Sequence, residues 1–263
     1  MEMAIINLLG FIVVGFITAM LGTIIGAGGG LIFVPLFMYL FPEWTPAQVV
    51  ATSLVAVMCN AISGSLAYIK QKKVLISAAL IFSVATFPGA IWGAQMSGDF
   101  SGSGFSFSFG CFLLFASILI GFKNLKKGER KQESLQKHEV TYNKLLGIGI
   151  SIVVGFISSI FGIGGGIIHV PALIYLMGFP THLATATSHC ILAVSTTVGV
   201  LAHYFDGHIV FNIAVPVSIG AIFGAQLGAF LAKKLRAKAI LLFMSLGILV
   251  LGLKLIVTSR FLF

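Results

Sequence analysis

Eight apolar stretches, at residues 4–27, 47–69, 74–97, 104–122, 145–163, 182–205, 209–231 and 239–258, contain no aspartate or glutamate. Each is about long enough to cross a bilayer core of ~30 Å as a helix rising ~1.5 Å per residue. Hydrophobic residues make up 58% of the 263-residue chain and charged residues 9%, with a mean hydropathy of +1.09. A soluble domain of that composition would turn an oily exterior to water. The runs are too long for barrel strands and lack their alternating pattern. The chain is therefore expected to be an all-α polytopic membrane protein.

Fourteen of the 16 lysines and arginines fall in the connections between these runs, so the formal charge of +9 does not describe a nucleic-acid surface. They orient the chain instead, because cytoplasmic loops carry the excess of basic residues. Lys70, Lys72 and Lys73 share one loop, seven basic residues lie from Lys123 to Lys144, and Lys233, Lys234, Arg236 and Lys238 share a third. The connections holding Glu43, Asp99 and Asp206 have no lysine or arginine and are expected outside, as is the N-terminus. Lys254 and Arg260 run against this scheme. The opening MEMAIINLLG has no basic segment and begins a span that is repeated later, so it reads as the uncleaved start of a multi-pass protein of the cell (inner) membrane. Cys59, Cys111 and Cys190 are scattered through the spans and suggest neither a disulfide framework nor a metal cluster.

The pattern is written twice. IIGAGGGLIFVP at 24–35 recurs as IFGIGGGIIHVP at 160–171, with VVGFI before it at 13–17 and 153–157. VATS at 50–53 then matches TATS at 185–188, and GAIWGAQ at 89–95 matches GAIFGAQ at 220–226. The chain thus divides into a first membrane repeat (1–122), a basic cytoplasmic linker (123–144) and a second membrane repeat (145–263). Each repeat holds a long span, a glycine break, a short apolar segment and three further spans. The loop alternation starts one repeat outside and the other inside, so inverted topology is expected.

The short segments at 31–41 and 167–178, about 17 Å long as helices, cannot cross comfortably alone. Each is expected to form a V with the preceding span, the glycine run at its tip. Consecutive glycines allow positive φ and leave peptide N–H groups uncovered. A helix that starts just past the tip aims its positive dipole end and its free amides there, which suits an anion. Opposed broken helices of this kind occur in secondary transporters with inverted repeats. Pro35 and Pro171 each remove a donor and are expected to bend or end the short helix. The pairs Gly89/Gly93 and Gly220/Gly224 read as helix-packing positions.

This ordered, duplicated set resembles the TauE/SafE family of membrane permeases. The family's G-x-G-G-G-x-x-x-x-P element stands at Gly26 to Pro35 and again at Gly162 to Pro171, and its A-T-S element at Ala51 to Ser53 and Ala186 to Ser188. The resemblance covers nearly the whole chain. It implies transport of sulfur-containing anions such as sulfite, sulfoacetate or other organosulfonates, often as export.

The candidate substrate-binding residues are the tip glycines Gly28, Gly29, Gly30, Gly164, Gly165 and Gly166 and the polar residues around them. Thr52, Ser53, Thr187 and Ser188 lie nearest in sequence, with ordinary interhelical bonding as their alternative use. Asn60 extends a small polar stripe with Thr52, Ala56 and Ser63, and a buried amide without partners is costly. His169 and His189 are candidates to titrate with the substrate, the alternative being a neutral imidazole bonded to a carbonyl. Gln95 and Gln226 occupy equivalent places beside packing glycines. No cofactor and no metal are expected. The expected partners are a small anionic substrate and membrane lipid, and a homo-oligomer is left open. Two other readings stand beside the permease: a passive anion channel, and a metal-dependent intramembrane enzyme using His169, His182, His189 and Cys190, for which no third ligand converges by sequence.

Overall fold

The computed structural model describes residues 2–99, 102–124, 140, 142–235 and 237–260, so most of the basic linker lies outside it. Ten α-helices are present among the described residues: α1 (Glu2–Ile25), α2 (Gly30–Leu40), α3 (Pro46–Lys70), α4 (Ile76–Met96), α5 (Gly102–Asn124), α6 (Lys144–Phe161), α7 (Gly166–Tyr175), α8 (Thr181–Phe205), α9 (Phe211–Ala232) and α10 (Ala237–Arg260). A single 3₁₀ turn follows α4 at Ser97–Asp99, and the described residues form no strand. Helices occupy all eight expected spans. Six of them are long and apolar enough to cross a membrane, while α5 and α10 carry shorter described apolar stretches at Gly102–Ile118 and Ser245–Val257. The protein is a multi-pass membrane protein. Its outward side chains include Leu8, Val13, Leu80, Trp92, Phe223 and Val250, whereas Phe33, Phe37, Phe82, Phe105 and Phe109 are fully buried.

Local chemistry sets the helix starts. Thr45 caps α3 by accepting from the Gln48 amide at 3.3 Å, and the Gln48 side chain accepts from the Thr45 amide at 3.0 Å. With Pro46 in the first turn this is a full capping box, worth on the order of 1 kcal/mol. Asn143 caps α6 through the Leu146 amide at 3.1 Å. The two short helices have no side-chain cap and begin instead from Gly29 and Gly165, both left-handed. Neither ends at its proline. Pro35 and Pro171 are each the sixth residue of a helix that runs on to Leu40 or Tyr175, and each leaves the carbonyl four residues earlier, of Leu31 and Ile167, without its helical donor.

The two halves exchange helices. α1 lies along α9 and α4 along α6, in register and in the same direction. A β-carbon at Gly220 would strike the Ile12 carbonyl, one at Gly224 the Phe16 carbonyl, and one at Gly15 the Val217 carbonyl. Equivalent contacts join Gly89 to Ile152, Gly93 to Phe156 and Gly155 to Thr86. The backbones are close enough that only glycine fits, as at small-residue helix crossings in membranes.

At the centre α3 and α8 cross antiparallel. The hydroxyl of Thr52, near the start of α3, accepts from the Val210 amide just past the end of α8, at 3.1 Å. Thr187, near the start of α8, accepts from the Leu75 amide just past the end of α3, also at 3.1 Å. Val210 and Leu75 are the N-cap residues of α9 and α4. Each central helix thereby caps a helix of the other half.

Candidate functional site

Gly26, Gly28 and Gly29 in the first break, and Gly162, Gly164 and Gly165 in the second, all adopt φ between 69° and 81°. This conformation is costly for any residue with a β-carbon. The two turns slide past each other in the protein interior. A β-carbon at Gly30 would lie 2.6 Å from the Gly162 carbonyl oxygen and from Ile163 Cα, and one at Gly166 would strike the Gly26 carbonyl and lie 2.7 Å from Ala27 Cα. The Ser53 hydroxyl fastens the second turn by donating to the Gly162 carbonyl at 3.0 Å.

The inner edges of the turns rest on one pair of side chains. A β-carbon at Gly164 would come within 2.6 Å of Val57 Cγ1 and 2.7 Å of Leu192 Cδ1, and one at Gly28 would strike Leu192 and lie 3.0 Å from Val57. Val57 and Leu192 are themselves buried. The cradle expected between the turns is thus filled by apolar side chains at its midpoint, and the polar ground lies to either side of them.

On the side reached by the later turns of α3, α2 aims its start at Asn60. The first backbone bonds of α2 run from Ile32 and Phe33 to the Gly29 carbonyl, so the Gly30 and Leu31 amides precede the ladder and have no acceptor within the helix. Asn60 Oδ1 accepts from the Thr23 hydroxyl at 2.6 Å, while Asn60 Nδ2 is buried without a partner. That amide nitrogen lies 3.5 Å from the point a β-carbon on Gly29 would take. The Tyr68 hydroxyl donates to the Thr23 carbonyl at 2.8 Å and holds the end of α1 in place. On the opposite side α7 begins in the same way, with Ile168 and His169 donating to the Gly165 carbonyl. There the unpartnered group is the Ser158 hydroxyl, 3.5 Å from a Gly165 β-carbon position.

The remaining candidates separate by what they touch. Thr52 and Thr187 spend their acceptors on the caps described above. Ser188 is fully buried with no partner for its hydroxyl, although its repeat-equivalent Ser53 is bonded. His169 turns toward α6, where its Nε2 meets the Ser151 hydroxyl at 3.2 Å. That hydroxyl gives its one proton to the Gly147 carbonyl at 2.7 Å, so Nε2 is the donor and the imidazole is satisfied there. His189 is fully buried with no hydrogen bond of good geometry at either ring nitrogen, although the Asn60 backbone carbonyl approaches the ring, and Tyr68 meets that ring edge-on at 5.7 Å. Gln95 and Gln226 are exposed on their helices. Gln226 donates to the Ser63 carbonyl at 2.7 Å and to its hydroxyl at 2.9 Å, which ties α9 to α3.

Sequence reasoning missed Thr23, Tyr68, Ser158, Val57 and Leu192. Thr23 was within reach, because it stands three residues before the first glycine run as Ser159 does before the second.

Comparison with known proteins agrees with this architecture. The family model described as "Sulfite exporter TauE/SafE" matches residues 11–255. The "Probable membrane transporter protein YunE" of Bacillus subtilis is 34% identical over 266 residues, covering 95% of this chain and 97% of the relative. A "Probable membrane transporter protein" of Xylella fastidiosa strain Temecula1 is 30% identical and covers 90% and 89%. The "Probable membrane transporter protein MJ0441" of Methanocaldococcus jannaschii is 26% identical and covers 92% of each chain. No solved structure matches the chain.

Proposed function

The chain belongs to the TauE/SafE family of sulfite exporter-like membrane transporters, and from that premise we propose that it moves small sulfur oxyanions or organosulfonates across the cell membrane by alternating access. The two repeats lie in inverted topology, with the N-terminus outside and residues 123–144 in the cytoplasm. The anion is held at the start of α2 by the Gly30 and Leu31 amides and by Asn60 Nδ2. It moves between this station and its counterpart at Gly165, Gly166 and Ser158 when the seal made by Val57 and Leu192 parts.

One observation carries this reading. A carboxamide N–H₂ buried without an acceptor costs about 1–3 kcal/mol, and Asn60 Nδ2 bears that cost directly beside unsatisfied helix-start amides. A sulfonate oxygen is an acceptor-only group that answers all of these donors. The apolar plug at Val57 and Leu192 supports a carrier over a passive channel, since an open anion pore has no use for two interlocked apolar side chains across its midpoint.

The test is flux into proteoliposomes containing purified protein, with sulfite and sulfoacetate as probes and protein-free liposomes as control. Protein-dependent flux that falls at least about tenfold in Asn60→Leu supports the reading, a factor that corresponds to ~1.4 kcal/mol. Equal flux with and without protein for both probes overturns it.

A further inference from the structure

The two central helices interlock by the same device twice, and the two copies differ chemically. Leu54 of α3 projects into a notch at Gly199 of α8, where a β-carbon would lie 3.3 Å from Leu54 Cδ1. The repeat-equivalent projection is His189 of α8 into the notch at Gly64 of α3, where a β-carbon would lie 2.5 Å from His189 Nε2. Leu54 and His189 are both fully buried. A leucine therefore fills this kind of notch, and packing alone does not call for an imidazole. The histidine instead buries two ring nitrogens, neither of which makes a hydrogen bond of good geometry, the Asn60 backbone carbonyl being the acceptor that approaches the ring.

His189 also adjoins the polar cluster at the start of α2. Thr23 Cγ2 and His189 Nε2 flank the same point over Gly64, at 3.2 and 2.5 Å, and the Thr23 hydroxyl is bonded to Asn60. The titratable group facing the ring from α3 is Tyr68. α1 presents Thr23, α4 carries no ionisable side chain, and His169 of α7 is engaged by Ser151. No carboxylate lies within any of these helices past Glu2 at the start of α1. A positive charge on His189 would thus have no protein counter-charge.

We propose that His189 is the coupling site of this permease: its imidazole takes up one proton when an anion occupies the neighbouring start of α2 and releases it when the anion leaves, so that anion and proton cross together. The proton comes from water onto Nδ1 or Nε2 of the neutral ring and returns to water on the opposite side, with no other bond made or broken. The physical reason is mutual neutralisation. Either charge alone in a dry interior is costly to strip of water, and the pair offsets that cost. By linkage, anion binding must favour protonation as strongly as protonation favours anion binding.

This inference rests on the anion-carrier reading, and the experiment separates the two. Purified protein in weakly buffered detergent solution is mixed with sulfoacetate, ionised at both ends at neutral pH, while a dissolved indicator reports proton uptake and a separate calorimetric titration reports binding. Binding with uptake of about one proton per anion in the wild type, lost in His189→Leu and His189→Gln, is the expected result. Leucine is the residue the equivalent notch already accepts, and glutamine keeps the polar volume without a titrating group. In proteoliposomes with the membrane potential clamped at zero, because one proton with a dianion carries a net negative charge, one-to-one coupling makes a one-unit pH difference shift steady-state sulfoacetate accumulation about tenfold. Wild-type binding or flux with no proton movement overturns the coupling role and leaves the carrier reading standing. Proton uptake that persists in both variants also overturns it, and absence of binding and flux for both sulfoacetate and sulfite removes the carrier reading together with this one.

Discussion

Val57 and Leu192 meet at the crossing of α3 and α8, and both glycine turns rest on them: Gly164 against each side chain, and Gly28 against Leu192 with Val57 at 3.0 Å. Each residue is the other's counterpart in the repeat, so the seal is made of one position used twice. Truncation should open it. Leu192→Ala removes buried methyl groups at a cost of about 2–5 kcal/mol if the site does not collapse. It should also leave a gap between the two polar stations. The expected outcome is anion leak down a gradient, measured as sulfite efflux from preloaded liposomes. Val57→Ala should show the same effect more weakly, because it removes less volume.

The threonines at 52 and 187 should behave as caps. Each accepts a single backbone bond, from Val210 and from Leu75, at the same 3.1 Å. Thr52→Val and Thr187→Val keep the shape and remove the acceptor, so each should lower stability by about 0.5–2 kcal/mol. The two losses should be similar. Thermal unfolding followed by size-exclusion chromatography in detergent reads them, and a collapse of transport without loss of stability would return these residues to the substrate path.

What was legible in the sequence was what repeats or what is periodic. The apolar runs gave all eight spans, and the doubled glycine motif gave the two breaks, since only glycine tolerates φ near +79° at Gly28 and Gly164. The spacing of Gly89/Gly93 and Gly220/Gly224 was enough to mark them as packing sites, and their backbone contacts agree. The use of Thr52 and Ser53 was not legible. Their partners lie 158 and 109 residues away, across the exchange of helices between the halves. Val57 and Leu192 were invisible for a different reason, because an aliphatic residue within an aliphatic run carries no mark of its position. Pro35 and Pro171, expected to bend or end the short helices, do not end them: each forfeits one backbone bond and the helix runs on.

The glycines themselves fall into two classes that substitution should separate. Gly28→Ala and Gly164→Ala impose a left-handed alanine and collide with Leu192 or Val57, and the backbone component alone is about 1–3 kcal/mol. Gly149, inside α6, has nothing within 4 Å of its β-carbon position. Gly149→Ala should therefore be neutral or stabilise by up to about 1 kcal/mol through helix propensity. Midpoints of thermal unfolding would rank them, and a Gly28→Ala protein as stable as Gly149→Ala would argue against the turn geometry.

Lys73 offers a probe of both electrostatics and sidedness. It lies in the loop between α3 and α4, where burial, and after it the charge of Lys233, holds its ammonium below the ordinary lysine range. The fold therefore binds this proton less tightly than the unfolded chain does. The destabilisation it brings is present at neutral pH and is relieved as pH climbs through the lowered folded value, levelling off above the ordinary lysine value. A larger share of free amine also makes Lys73 more reactive at mildly alkaline pH. Lys233→Gln removes the second cause and should slow its modification by an amine-directed reagent, read by mass spectrometry of the peptide. Burial, the larger cause, remains, so the slowing should be partial. With a membrane-impermeant reagent, the proposed orientation requires that Lys73 react in inside-out vesicles and stay protected in intact cells. Modification of Lys73 from the outside of intact cells would reverse the assignment of every loop.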